Sequence, residues 1–199
     1  TTNLKVTTAV TCPTVRIHPA ILAQAAATAA LMLEGRFLLG VGTGENLNEH
    51  VLGDHWPRVE VRLDMLEEAV EVMRKLWEGG LTSHDGRFYQ VENARVYSLP
   101  DTPPPVLVSA LGPKAVSLAA RIGDGYISTS PDKEALESYV AQGGKGLKQG
   151  GMKVCWGRDE AAARKTAFEL WPNTLVPGQL SQELALPSHF EQASQLVTE

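Results

Sequence analysis

A chain of 199 residues with 43% apolar content is long enough for one globular core. A formal net charge of −5 and a pI of about 5.6, with no basic patch, argue against nucleic acid and anionic membranes as partners. No apolar run reaches transmembrane length, and Cys12 and Cys155 stand far apart without metal-ligand spacing, which fits a reducing cytoplasm better than a disulfide scaffold. The first residue is Thr rather than Met, which leaves room for a leader or a longer natural chain.

Leu4 to Cys12 is rich in Thr and Val and reads as a strand. After the loop Cys12 to His18, Pro19 sits at the first turn of a helix, where its missing N–H costs nothing. That helix runs to about Leu33 and is dense in alanine, which combines strong propensity with close packing. Gly35 marks its C-cap. Phe37 to Val41 is too short for a helix and lacks alternation, so it reads as a strand buried on both faces. Two strands around one helix form a βαβ unit, parallel with a right-handed crossover.

Gly42-Thr43-Gly44-Glu45 follows at the strand's carboxyl end, which faces the ligand in parallel α/β proteins. Glycines there let a backbone pass close to a flat ring or a phosphate. Glu45 is placed at the mouth of an apolar strand, where burial would raise its pKa towards neutral proton transfer. The plainer reading is a glycine-rich turn followed by a helix-capping segment, Asn46 to Glu49. The glycines are spaced by twos and the third position of a dinucleotide fingerprint holds Glu45, so that fingerprint is absent. The spacing is closer to the glycine turn of S-adenosylmethionine-dependent methyltransferases.

A second helix is expected from about Arg58 to Glu78, with Leu63, Leu66, Val70, Met73, Leu76 and Trp77 at helical spacing. Its acids, Glu60, Asp64, Glu67, Glu68 and Glu71, read as a solvated face rather than a metal site. Residues 81–100 carry an Asp85-Gly86 turn between β-type residues, a hairpin excursion in which Phe88 and Tyr89 read as local core. Four prolines from Pro100 to Pro105 lead to a buried strand, Val106 to Ala110, then Leu111-Gly112-Pro113 and a helix, Lys114 to Ile122. Tyr126 to Ser128 is the next strand, with a polar tip Thr129-Ser130 and a helix from Asp132 to about Gln142. Gly143 to Gly151 reads as a flexible link, Met152 to Trp156 as the last strand, and Asp159 to Trp171 as a helix. The tail, residues 172–199, holds a short helix at Ser188 to Val197.

Five strands alternating with helices form the pattern of a parallel α/β fold. Every strand tip carries Gly, Ser or Thr, whereas a doubly wound sheet would concentrate them at a switch point. The expectation is therefore a (β/α) barrel, with the whole chain as one partial barrel domain, because a complete barrel needs eight strands and typically about 250 residues.

Several stretches, read together, resemble the luciferase-like flavin and deazaflavin oxidoreductases. They are Val10-Thr11-Cys12-Pro13-Thr14, His18-Pro19-Ala20, Ala23-Gln24-Ala25, Phe37 through Glu49, Gly86-Arg87-Phe88-Tyr89, and Gly112-Pro113 through Gly123-Asp124-Gly125. Within that family the branch they resemble is named for coenzyme F420-dependent glucose-6-phosphate dehydrogenase. The resemblance implies a (β/α)8 TIM barrel, of which this chain supplies strands three to seven. It implies hydride transfer between a deazaflavin ring and a substrate carbon, with F420 as cofactor. FMN, in a luciferase-like monooxygenase, is the alternative, and a non-catalytic barrel fragment is another. A homodimer is implied as well.

On the same resemblance Glu45 is the acid beside the cofactor ring. Thr43, Gly44 and Asn48 line the cofactor, and Ala9 and Val10 form a bulge behind the ring at a non-prolyl cis peptide. Ala110, Leu111, Gly112 and Pro113 hold the cofactor's phosphate through backbone N–H groups at a helix start. Thr129 lies near the substrate, and no metal is implied. The family's catalytic His, preceded by Asp at the end of strand two, has no match among His18, His50, His55, His84 and His189. Asp132 stands where the sugar-phosphate enzymes carry a Lys, and an acid there disfavours a dianionic phosphate, so the expected substrate is a small neutral alcohol or its ketone rather than glucose-6-phosphate. Val106 to Ala110 lacks the acid that a methyltransferase would use on that strand to hold a ribose. Outside these positions Trp56 reads as packing, His50 and His55 as surface or capping residues, Cys12 as a small apolar filler, and Arg16 as a solvated loop residue.

Overall fold

In a computed structural model, residues 2–176 and 178–198 are described, so parts of the expected tail 172–199 lie outside them. The elements in chain order are β1 (Val6–Thr7), α1 (Pro19–Met32), β2 (Phe37–Val41), α2 (Asn46–Glu49), α3 (Val59–Trp77), β3 (Thr82–Asp85), β4 (Gln90–Ala94) and β5 (Val106–Ser109). They continue as α4 (Pro113–Ile122), β6 (Gly125–Ser128), α5 (Lys133–Ala141), β7 (Leu147–Gly150), α6 (Glu160–Leu170), α7 (Leu180–Glu183) and α8 (Pro187–Ser194). Two compact units divide them: Thr1–Thr43 with Pro57–Gly151, and Gly44–Trp56 with Met152–Glu199.

The first unit holds a five-stranded sheet in the order β1-β2-β5-β6-β7, and every pair is parallel. Spatial order follows chain order, so the sheet winds in one direction, as a barrel arc does and a doubly wound sheet does not. β3 and β4 pair only with each other, antiparallel, as the expected excursion. Every residue of β2 is buried. Phe37, Leu39 and Val41 join the core with the helices, while Leu38 meets Leu107, Ile127 and the partly buried Val10 on the opposite, inner face. Burying a side chain such as Leu39 is worth about 1.5–3 kcal/mol.

α1 begins at His18, whose Nδ1 accepts the Ala20 N–H, with Pro19 in the first turn. Its buried face is Ala23, Ala26, Ala27 and Ala30, which lets α3 approach closely enough for Trp77 Nε1 to donate to the Ala23 carbonyl at 2.9 Å. The acids of α3 divide into two kinds. Glu60 pairs with Lys114, Asp64 with Arg87, Glu67 with Arg121 and Glu71 with Lys75, all substantially exposed, as expected for a solvated face. Glu68 departs from that expectation: its side chain is only 12% exposed, and it accepts N–H groups from Phe88 and Tyr89 and lies 3.3 Å from His84 Nε2. It anchors the hairpin turn to α3.

The last strand also differs from the sequence expectation. β7 is Leu147–Gly150, within the stretch expected to be a flexible link, and Met152 to Trp156 joins no strand. The glycines explain this. Gly146, at φ +72°, passes so close to the Asp124 carbonyl that a Cβ would lie 1.8 Å from it, and a Cβ on Gly125 would lie 2.5 Å from the Leu147 carbonyl. These glycines permit close approach of β6 and β7 rather than looseness. The strand at the amino end is also shorter than expected: of Leu4 to Cys12, only Val6–Thr7 is regular, and pairing resumes at Thr11 opposite Val41.

The second unit is helical. Asn46 Nδ2 donates to the Glu183 carbonyl at 2.9 Å, and His50 Nδ1 lies 2.7 Å from the Asn46 carbonyl, the capping role expected for it. Asp159 caps α6 by accepting the Ala162 N–H. α8 corresponds to the expected tail helix, shifted to begin at Pro187 and end at Ser194. Among the described residues no helix is long and apolar enough to cross a membrane, and no group of three or more His, Cys, Asp or Glu residues is placed to hold a metal ion.

Candidate functional site

Between Thr7 and Thr11 the first strand bulges out of the sheet. Thr8 Oγ1 stands in for a ladder partner by donating to the Gly40 carbonyl at 2.9 Å and accepting the Gly40 N–H at 3.0 Å. The ladder then recovers, with Thr11 N donating to the Gly40 carbonyl and Gly42 N to the Thr11 carbonyl. Inside the bulge the Ala9–Val10 peptide is cis, as the resemblance implied. A Cβ on Gly40 would sit 1.8 Å from the Thr8 carbonyl oxygen, and one on Gly42 would sit 2.8 Å from Val10 Cγ2. Both glycines thus make room for the protein's own bulge, and Gly42, expected to let the backbone pass close to a flat ring or a phosphate, is packed instead against the Val10 side chain.

The same carboxyl edge of the first unit collects the tips of four consecutive strands: Val10 beyond β1, Thr43 beyond β2, Ala110 beyond β5 and Thr129 beyond β6. Ala110 is buried, its N–H donates to the Ile127 carbonyl, and its own carbonyl accepts the Tyr126 hydroxyl at 2.8 Å. Leu111 is exposed. Gly112 is the N-cap of α4 and Pro113 occupies its first turn, with no side chain capping the helix. Backbone N–H groups in a first helical turn lack intrahelical partners, so the start of α4 presents positive potential and donors. Space beside Gly112 is open. Thr129 is exposed, next to a turn in which Ser128 Oγ donates to the Ser130 carbonyl at 2.6 Å. Asp132 accepts the Ala135 N–H at 2.9 Å as the cap of α5.

Gly44, Glu45 and Asn48 belong to the second unit. Gly44 adopts φ +88°, a left-handed conformation that favours glycine. Glu45 is the N-cap of α2, and its carbonyl accepts the N–H groups of Asn48 and Glu49. Asn48 Nδ2 lies 3.5 Å from Glu45 Oε2. Glu45 is exposed, which corrects the expectation of an acid buried in the strand mouth: it follows β2 in the chain and caps a four-residue helix.

Tyr89 is buried, as its reading as local core expects, but its contacts reach further. Its hydroxyl donates to the Pro13 and Thr14 carbonyls, 3.1 Å from each, and its ring meets His18 edge-on at 5.4 Å. Burial first, and then the Glu68 charge, push its phenol well above the ordinary range. Thr14, itself buried, donates from Oγ1 to the Thr43 carbonyl at 3.3 Å. Neither Tyr89 nor Thr14 stood out in the sequence as part of a site.

The one-way parallel sheet agrees with a match of residues 1–196 to the luciferase-like monooxygenase family. The chain belongs to that family. Among luciferase-like relatives, it is 40% identical over 197 residues to an F420-dependent glucose-6-phosphate dehydrogenase of Kribbella flavida, covering 90% of this chain and 58% of the relative. It is 38% identical over 181 residues to an F420-dependent hydroxymycolic acid dehydrogenase of Mycobacterium tuberculosis, covering 86% and 50%. The solved structure of an F420-dependent secondary alcohol dehydrogenase in complex with an F420-acetone adduct superposes with a TM-score of 0.87 at 31% identity, over 100% of this chain and 64% of that one. The chain thus spans about half the length of the curated relatives it matches.

Proposed function

We propose that the protein is a coenzyme F420-dependent oxidoreductase acting on a small alcohol or the corresponding ketone. What carries this reading is the agreement of sequence and structure on F420-dependent dehydrogenases, at 31–40% identity across nearly the whole chain. The residues present suit such a cofactor. The uncapped start of α4 offers N–H donors to a phosphate beside an open Gly112, and Val10 presents an apolar side chain at the bulge.

In this reading the backbone N–H groups that open α4 hold the phosphate, flanked by Ala110, Leu111 and Pro113. Ala9 and Val10 back the ring, and Thr43, Gly44 and Asn48 line it. A deazaflavin bound there would supply a ring carbon able to take up or return hydride. Glu45 would hold or release a proton at its carboxylate beside such a ring. Thr129 orients the substrate oxygen. Asp132 keeps a carboxylate at the tip of β6, which disfavours a phosphorylated substrate and favours a neutral alcohol.

Titrating the purified protein with F420 and, in parallel, FMN while following the fluorescence of each tests the reading. F420 binding with hydride transfer from a secondary alcohol is expected, and Glu45→Gln is expected to bind F420 while losing roughly 10²-fold in turnover. Binding of FMN alone would move the protein to monooxygenase chemistry. Binding of neither would end the reading.

A further inference from the structure

We propose that Tyr89 and Thr14 are positioning residues for the strand tip at Thr43, linking the hairpin excursion to the cofactor-lining edge of the sheet; the functional half of this rests on the F420 reading above. The link is a continuous run of hydrogen bonds within one compact unit. Glu68 Oε1 on α3 accepts the Tyr89 N–H at 2.9 Å. The Tyr89 hydroxyl reaches the carbonyls of Pro13 and Thr14, 3.1 Å from each. Thr14 Oγ1 then donates to the Thr43 carbonyl at 3.3 Å. Tyr89 is 4% exposed and Thr14 3%, so water does not substitute readily for a lost partner.

The geometry separates this role from simple packing. A tyrosine needed only for its ring would leave its hydroxyl to solvent or to one chance acceptor. Here a single hydroxyl spans two consecutive carbonyls, and one of these residues, Pro13, has no N–H with which to order its own loop. His18 meets the ring edge-on while its Nδ1 caps α1, so the ring is braced against a fixed helix end. At the far end, the Thr43 carbonyl belongs to the planar Thr43–Gly44 peptide. Holding that oxygen fixes the plane of this last peptide at the tip of β2. The excursion would otherwise be a remote hairpin with no part in the sheet. Through Tyr89 it determines how firmly the tip of β2 is held.

Tyr89→Phe removes only the hydroxyl, Thr14→Val removes only the second donor at nearly constant shape, and Thr14→Ser restores that donor. Two readouts are taken on the folded proteins: amide hydrogen exchange over residues 40–44, compared with β5 and β6, and the F420 dissociation constant. Loss of one net hydrogen bond corresponds to about fivefold, so exchange over 40–44 should rise about fivefold in Tyr89→Phe and in Thr14→Val. β5 and β6 should stay protected, F420 binding should weaken by a similar factor, and Thr14→Ser should recover both. Unchanged exchange over 40–44, or a uniform rise that includes β5 and β6, overturns the positioning role. If the unmodified protein fails to bind F420, the functional reading falls, while the exchange comparison still decides whether these residues hold the strand tip.

Discussion

Gln149 on the last strand donates from Nε2 to Thr7 Oγ1 on the first, at 3.0 Å and across 142 residues of sequence. The register shows how they meet. Gln149 lies opposite Ile127 and Thr7 lies opposite Leu38, and both of those partners belong to the inner-face cluster. The sheet therefore curls far enough for side chains of its two edge strands to join, which is the curvature a closing barrel requires. Gln149→Leu should cost about 1 kcal/mol, read as a lower denaturant midpoint with an unchanged slope, and should release β7 amides to exchange before those of β2. Equal protection of β7 in the variant and the unmodified protein would show that the bond does not hold the edge.

The glycines at the carboxyl edge have opposite duties, and alanine distinguishes them. Gly40→Ala places a methyl against the Thr8 carbonyl backbone, which cannot give way without undoing the bulge, so failure to fold or a loss above about 3 kcal/mol is expected. Gly112→Ala meets open space at φ −106°, and its stability should stay within about 0.5 kcal/mol. Thermal denaturation of the two variants side by side checks the pair. A stable Gly40→Ala would mean that the bulge does not depend on that close approach.

Glu68 gives the stability a pH dependence. Burial alone would push its carboxyl up, but the Tyr89 and Phe88 N–H groups and His84 together outweigh burial and hold it below the ordinary carboxylate value. A carboxyl depressed in the folded state contributes stability above its unfolded pKa and loses it as pH falls through the folded one. Glu68→Gln should therefore be less stable by about 2 kcal/mol near neutrality, and the difference should shrink between about pH 5 and pH 3. Urea midpoints across that range measure it. A gap that does not change with pH would show that the charge contributes nothing.

What was legible in the sequence followed from burial pattern and turn chemistry. The apolar run Phe37–Val41, the alanine face of α1 and the Asp85-Gly86 hairpin each carry a local signal, and each formed where expected. β7 did not, because Leu147–Gly150 is a largely exposed edge strand with no apolar alternation, and its glycines signal close approach only once Asp124 is in place. Met152 to Trp156 has better strand propensity but stays exposed at Met152, Val154 and Trp156, so propensity without a partner misled. Glu68 is indistinguishable in sequence from its acidic neighbours on α3. Only the fold brings the Phe88 and Tyr89 N–H groups to it. The link from Tyr89 to Thr14 joins residues 75 apart, beyond the reach of any local pattern.

Asp132 makes the substrate preference testable without disturbing the fold. Its Oδ1 caps α5 through the Ala135 N–H, a bond that asparagine makes about equally well, so Asp132→Asn removes the charge and keeps the cap. Thermal stability should change by less than about 0.5 kcal/mol. If the carboxylate repels phosphorylated substrates, removing it should lower the inhibition constant of glucose 6-phosphate against an alcohol substrate. Unit charges about 4 Å apart in water interact by about 1 kcal/mol, so a decrease of roughly fivefold is expected, diminishing as salt is added. The constant for a neutral alcohol should not move. An inhibition constant unchanged by the substitution would show that the acid at this strand tip plays no part in selecting the substrate, and the preference for neutral alcohols would have to come from other residues.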